Sequence, residues 1–149
     1  MRLFVEKQRF PLWADLLLWA GGALAPALIL LFDAQQFQPA LLSISVVLLL
    51  LWLMLFRMVT TVDQDQVVVT FGWIPSYSRR IPLADIKKAK AVSYSPIREY
   101  GGWGIRGIPV SCLNARGSLG VKLILSTGRS LLIGSQRPQE LLAALRAAP

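Results

Sequence analysis

The sequence contains no histidine and a single cysteine, Cys112. Without histidine, the commonest general base near neutral pH and the commonest metal ligand are both missing. One cysteine excludes an intrachain disulfide and a multi-cysteine metal cluster. Acids are scarce as well: eight Asp and Glu stand against sixteen Lys and Arg, a net charge of +8 over 149 residues. Beyond position 60 the acids are Asp63, Asp65, Asp85, Glu99 and Glu140, spread through turns, a strand start and a helix start. Nothing assembles a nucleophile, a base and an oxyanion donor. Cys112, in PVSCLN, reads as a small core residue. The expectation is a non-enzymatic protein with no metal and no cofactor.

What is abundant is apolar. Apolar residues make up 54% of the chain, and the mean hydropathy is +0.53. The excess lies in the first sixty residues. Leu12 to Phe32 reads LWADLLLWAGGALAPALILLF, and as a helix it would be roughly 31 Å long, a bilayer's thickness. Ala40 to Phe56, ALLSISVVLLLLWLMLF, has no charge and is closed by Arg57. The pattern predicts a transmembrane hairpin over 12–58, with spans at about 12–32 and 40–56 and a short external turn. A signal peptide is a poorer fit, because the apolar run continues past Ala23-Leu24-Ala25 and Pro26. Arg2, Lys7, Arg9 and Arg57 flank the spans, and the turn carries Asp33 but no cation. The positive-inside rule then puts both termini in the cytoplasm, residues 1–11 forming a cytoplasmic N-terminal segment. Trp13, Trp19 and Trp52 fit an interfacial belt or helix packing. Asp15 is expected near headgroup water, paired with Arg9 or Arg57, and Gly21, Gly22 and Ala25 offer a close-packing face.

From Thr60 the pattern becomes short apolar runs broken by turn residues. Strands are expected at 66–73, 77–82, 86–94, 108–113, 119–126 and 129–134. RPQELLAALRAA then predicts a short amphipathic helix, with Pro138 at its first position and a Leu141, Leu142, Leu145 stripe. The stretches Arg80-Ile81-Pro82-Leu83-Ala84-Asp85-Ile86, Gly120-Val121-Lys122-Leu123 and Gly128 to Leu141 resemble bacterial pleckstrin-homology-like domains found beside transmembrane hairpins. The resemblance covers about residues 60–147, within a cytoplasmic domain of 60–149. It implies an α+β membrane protein of the bacterial inner membrane: a multi-pass hairpin, then a bent antiparallel β-barrel or sandwich of six or seven strands, capped by a C-terminal helix. It brings no catalytic residues, and implies a module that binds or assembles.

The stretch REYGGWGIRG, residues 98–107, contains GxGxxG. A dinucleotide loop needs its last glycine to open a helix, and an acid about twenty residues on. Here Ile108 and Pro109 follow, and residues 122–132 hold no acid, so the nucleotide reading is rejected. Two readings stay open. Arg98, Glu99, Tyr100, Gly101, Gly102, Trp103, Gly104 and Arg106 form a headgroup or peptide-binding loop, or the glycines only let a strand pair bend, with Glu99 pairing to Arg98 or Arg106. A second candidate is the basic group Arg79, Arg80, Lys87, Lys88 and Lys90, which would hold the domain to anionic lipid headgroups or form a solvated strand face. Nucleic acid is not an expected partner, for no such motif is present. Partners are the bilayer and a membrane protein or a second copy of the chain, in the role of interaction module, structural homo-oligomer, or accessory subunit of a membrane enzyme or transporter.

Overall fold

The computed structural model describes residues 2–32, 38–55 and 57–147. It contains nine strands and four helices among them: β1 (Phe4–Arg9), α1 (Leu12–Phe32), α2 (Gln38–Leu55), β2 (Arg57–Val62), β3 (Gln66–Phe71), β4 (Tyr77–Pro82), β5 (Ile86–Ser93), α3 (Pro96–Tyr100), β6 (Gly104–Arg106), β7 (Cys112–Asn114), β8 (Leu119–Leu125), β9 (Ser130–Gly134) and α4 (Pro138–Ala147). The first sheet is antiparallel, in the order β1-β2-β3-β4. The second has the order β5-β8-β9-β7-β6, and within it β7 runs parallel to β9.

Alternation explains both sheets. In β2 and β3 every second residue is buried, so Met58, Thr60 and Val62 face inward with Val67, Val69 and Phe71. From the second sheet Leu113, Val121, Leu123, Leu131 and Ile133 meet them, and Leu141, Leu142 and Ala144 of α4 close the core. A strand's side chains change face at each residue, so each sheet contributes one apolar face.

β1 and β2 pair from Phe4 opposite Val62 to Arg9 opposite Arg57. The two helices therefore leave the sheet and return to it at neighbouring positions, as the loop of a β-hairpin would. β1 was not expected from the sequence, because its inward positions are Phe4, Glu6 and Gln8, and two of the three are polar. The Glu6 carboxylate and the Gln8 amide nitrogen are partnered across the core, while among the described residues Gln8 Oε1 is buried without a partner. Glu6 accepts from the Ser135 hydroxyl at 2.6 Å and the Gln136 N–H at 2.8 Å, and Gln8 Nε2 donates to the Gly134 carbonyl at 2.9 Å.

The hairpin joins the sheet through the turn after β3. The Leu53 carbonyl near the end of α2 accepts from the Trp73 N–H at 2.7 Å, and Met54 accepts from the Ser76 hydroxyl at 2.6 Å. Carbonyls of a helix's last turn have no partner inside the helix, so the turn satisfies them. Gly72 makes this approach possible: its φ is +94°, and a Cβ there would stand 2.6 Å from the Met54 carbonyl oxygen.

Two expectations are corrected. Helices form at both places expected of spans, but among the described residues no helix is long and apolar enough to cross a membrane. A bilayer core asks for about 20 consecutive apolar residues. The 18-residue α2 opens on Gln38-Pro39 and carries Ser43 and Ser45, and α1 carries Asp15, the Gly21-Gly22 pair and Pro26 within its length. The transmembrane hairpin, and with it the multi-pass inner-membrane location, is withdrawn. The expected external turn at 33–37 and the end of the second span at Phe56 lie outside the described residues. The expected all-antiparallel barrel or sandwich of six or seven strands is, among the described residues, a pair of sheets of four and five strands, one strand pair of which is parallel. In place of a strand over 108–113, residues 107–110 form a turn, and only Cys112–Asn114 pairs.

Candidate functional site

The glycine stretch is built from its capping groups outward. Ser95 opens α3, its hydroxyl accepting from the Arg98 N–H at 3.4 Å, while Glu99 reaches back to the Ser95 N–H at 2.7 Å. Glu99 is thus engaged in capping, and among the described residues it forms no ion pair with Arg98 or Arg106. Gly101 ends the helix in the left-handed region at φ +70°. Tyr100 packs edge-on to Tyr94 at 5.8 Å. Trp103 donates its indole N–H to the Gly117 carbonyl at 3.3 Å and meets Trp13 of α1 edge-on at 6.0 Å. The Gly104 N–H donates to Asn114 Oδ1 at 2.9 Å, and Asn114 Nδ2 donates to the Tyr94 hydroxyl at 3.1 Å. Arg106 folds back, its Nε donating to the Trp103 carbonyl at 2.9 Å. Most of the loop's polar groups are therefore used internally, and Arg98 is left exposed beside Ile97.

Burial dominates the ionisable groups underneath. It pushes the Cys112 thiol up to about 12, with Arg106 lowering it and Glu99 raising it to lesser degrees. It pushes Tyr94 up to about 12 as well, against the Asn114 hydrogen bond. Tyr100 is raised for the same reason. A thiol held neutral in this way is a poor nucleophile.

The basic group does not form one patch. Arg79 and Arg80, on the edge strand β4, border a cleft of about 170 Å³ with Asp85, Ser126, Thr127 and Arg129. Lys87 and Lys88 line a separate cleft of about 260 Å³ with Leu83, Ile86, Ala89, Leu145 and Arg146. The register of β5 against β8 is irregular between Ile86 and Lys88, and Lys87, Lys88 and Lys90 are all exposed. Lys90 stands directly opposite Lys122 on β8, both exposed. Arg129 was not singled out in the sequence. Only the β5–β8 pairing, Ile86 against Leu125, brings it beside β4.

A third cluster lies at the base of the hairpin. Trp19 meets Trp52 edge-on at 5.7 Å, and Trp52 stacks on Trp73 at 6.2 Å. Arg57 and Arg9 sit over the Trp73 ring at 4.5 and 5.5 Å. Asp15 accepts the Trp52 indole N–H at 2.9 Å. The acid expected to pair with one of these arginines thus bonds an indole, and the arginines use a ring face. Beside it, Trp19, Gly22, Ala23, Ser45, Leu48, Leu49 and Trp52 line a cleft of about 270 Å³ between α1 and α2. Gly21 and Gly22 act within the hairpin: a Cβ on Gly21 would touch Leu48, and the Ser45 hydroxyl lies 3.4 Å from the Gly22 carbonyl.

Among the described residues no group of three or more His, Cys, Asp or Glu is placed to hold a metal ion. No family model matches the chain, and no curated protein matches it.

Proposed function

We propose that the chain is a non-enzymatic interaction and assembly module, in which the two-sheet domain carries a helical hairpin that docks against apolar helices of a partner protein. One observation supports this above the others. Of the 22 large apolar side chains that are exposed among the described residues, 15 lie on α1 and α2. Leu16 and Leu17 of α1 are each 67% exposed. Monomers rarely leave contiguous apolar patches beyond a few hundred Å² uncovered, and larger ones mark interaction surfaces. The only charged residue described on the two helices is Asp15, which suits helices of equally apolar composition.

The test is site-specific photo-crosslinking in cells producing the full chain. A crosslinker at Leu17 or Val47 is expected to capture a discrete protein adduct, and one at Lys122, on the outer face of β8, none. Equal capture at both sites, or none at the hairpin, contradicts the proposal.

A further inference from the structure

The cleft bordered by Arg79, Arg80 and Arg129 goes beyond the docking role of the hairpin and does not depend on it. The three arginines that line it come from two sheets: Arg79 and Arg80 are consecutive on the edge strand of the first and leave it on opposite faces, and Arg129 comes from the turn between β8 and β9 in the second. Among the described residues none of the three has an acidic side chain within ion-pair distance or a side-chain hydrogen bond. Three exposed cations around one opening, with Asp85 its one acid, give it a net positive charge that attracts an anion. The turn supplies a further donor in Thr127, which also lines the cleft. Asp85 is its one acid, and it is occupied in holding the turn: its carbonyl accepts the Ser126 N–H at 2.7 Å and its carboxylate lies 3.4 Å from the Ser126 hydroxyl.

Size narrows the ligand. The cleft's volume of about 170 Å³ is below the roughly 300–1,000 Å³ of sites that take drug-sized molecules. A cleft of this size encloses one compact anionic group. Guanidinium forks match the paired oxygens of phosphate, which lysine ammonium groups meet only as point charges. We propose that Arg79, Arg80 and Arg129, with the Thr127 hydroxyl, form a binding site for a phosphomonoester group, carried by a lipid headgroup or by a small soluble phosphate.

The experiment titrates the full chain with inorganic phosphate, followed by calorimetry, and repeats it with an R79A/R80A/R129A variant, an R79K/R80K/R129K variant and a K87A/K88A/K90A variant. Saturable binding is expected. It should fall at least about tenfold in the Arg-to-Ala variant, the effect of losing a single charge-assisted hydrogen bond. The Arg-to-Lys variant retains the charge and should fall between that and the parent, while the Lys-to-Ala variant should match the parent. D85N removes the opposing charge and should tighten binding. A second arm compares vesicles of neutral lipid alone with vesicles also containing phosphatidate. Extra retention on phosphatidate, lost in R79A/R80A/R129A, assigns the site to a headgroup; phosphate binding without extra retention assigns it to a soluble phosphate. No saturable binding in either arm, or an equal loss in the lysine variant, overturns the proposal.

Discussion

The two halves of this molecule treat apolar side chains in opposite ways. The sheets and α4 bury Met58, Phe71, Leu113, Ile133 and Leu141 almost completely, while α1 leaves Leu12, Leu16, Leu17 and Leu31 between 67 and 75% exposed and α2 leaves Val46 and Val47 about half exposed. Leucine alone does not separate these cases, for both halves are rich in it. What separates them is pairing. Each strand has a neighbour and a second layer to bury against; the helices have each other, a narrow footing on the turn after β3 and the contact of Trp13 with Trp103. The domain's apolar residues hold its fold together, and many of the hairpin's remain exposed.

Truncations should split the halves most widely. Leu113→Ala, at a site with no exposure, is expected to cost about 2–5 kcal/mol in denaturant unfolding. Leu16→Ala should change stability by no more than about 0.5 kcal/mol while weakening association. Equal losses of stability at both positions would erase the distinction.

Titration probes the buried half next. Cys112 and Tyr94 are both raised by burial to about 12, so folding favours their neutral forms. Above pH 9 the unfolded chain begins to lose these protons while the folded chain keeps them. Stability should therefore be level below about pH 9 and fall as the pH rises toward 12, and Cys112→Ala should delay the onset of that fall. Alkylation of Cys112 should be slow at pH 8 until denaturant is added. A stability curve that rises between pH 9 and 12, or rapid alkylation of the native chain, would show that this interior is open.

The joint between the halves comes next in size. Gly72→Ala forces a side chain into positive φ against the Met54 carbonyl and is expected to cost about 1–3 kcal/mol. Gly101→Ala also sits at positive φ but meets nothing within 4 Å, so the smaller loss belongs there. Hydrogen exchange should show Gly72→Ala loosening the C-terminal turn of α2 before the sheets. The smallest effect is on the outer face of the second sheet: Lys90→Glu replaces a like-charged pair with Lys122 by an opposite one and should stabilise by about 0.2–1 kcal/mol, a gain that added salt removes.

How legible all this was in the sequence differs between the halves as well. Strands β3, β4, β5, β8 and β9 and helix α4 lie close to where alternation and turn residues place them, because their inward faces are apolar and their ends carry Gly, Pro or Asp. β1 escaped notice because Glu6 and Gln8 occupy its core positions and find partners at Gly134, Ser135 and Gln136, more than 120 residues away along the chain. β6 has three residues, too few for a period to show. The hairpin's hydropathy was plain, but its assignment as a pair of spans did not follow from it. The candidate sites were legible by residue type and not by grouping. Arg79 and Arg80 found their companion in Arg129 through strand pairing, and Glu99 found a backbone N–H in place of a guanidinium. Trp73, the ring on which Arg9 and Arg57 converge, lies in a turn that only the return of the hairpin to the sheet makes important.

Most direct is the mass of the full chain, purified in mild detergent and measured by native mass spectrometry. A docking hairpin requires an assembly of more than one polypeptide, with a second copy or a partner, and its conversion to a single chain by Leu16→Glu with Val47→Glu while the two-sheet domain stays folded. A wild-type chain that is strictly monomeric across concentration and carries no partner contradicts it.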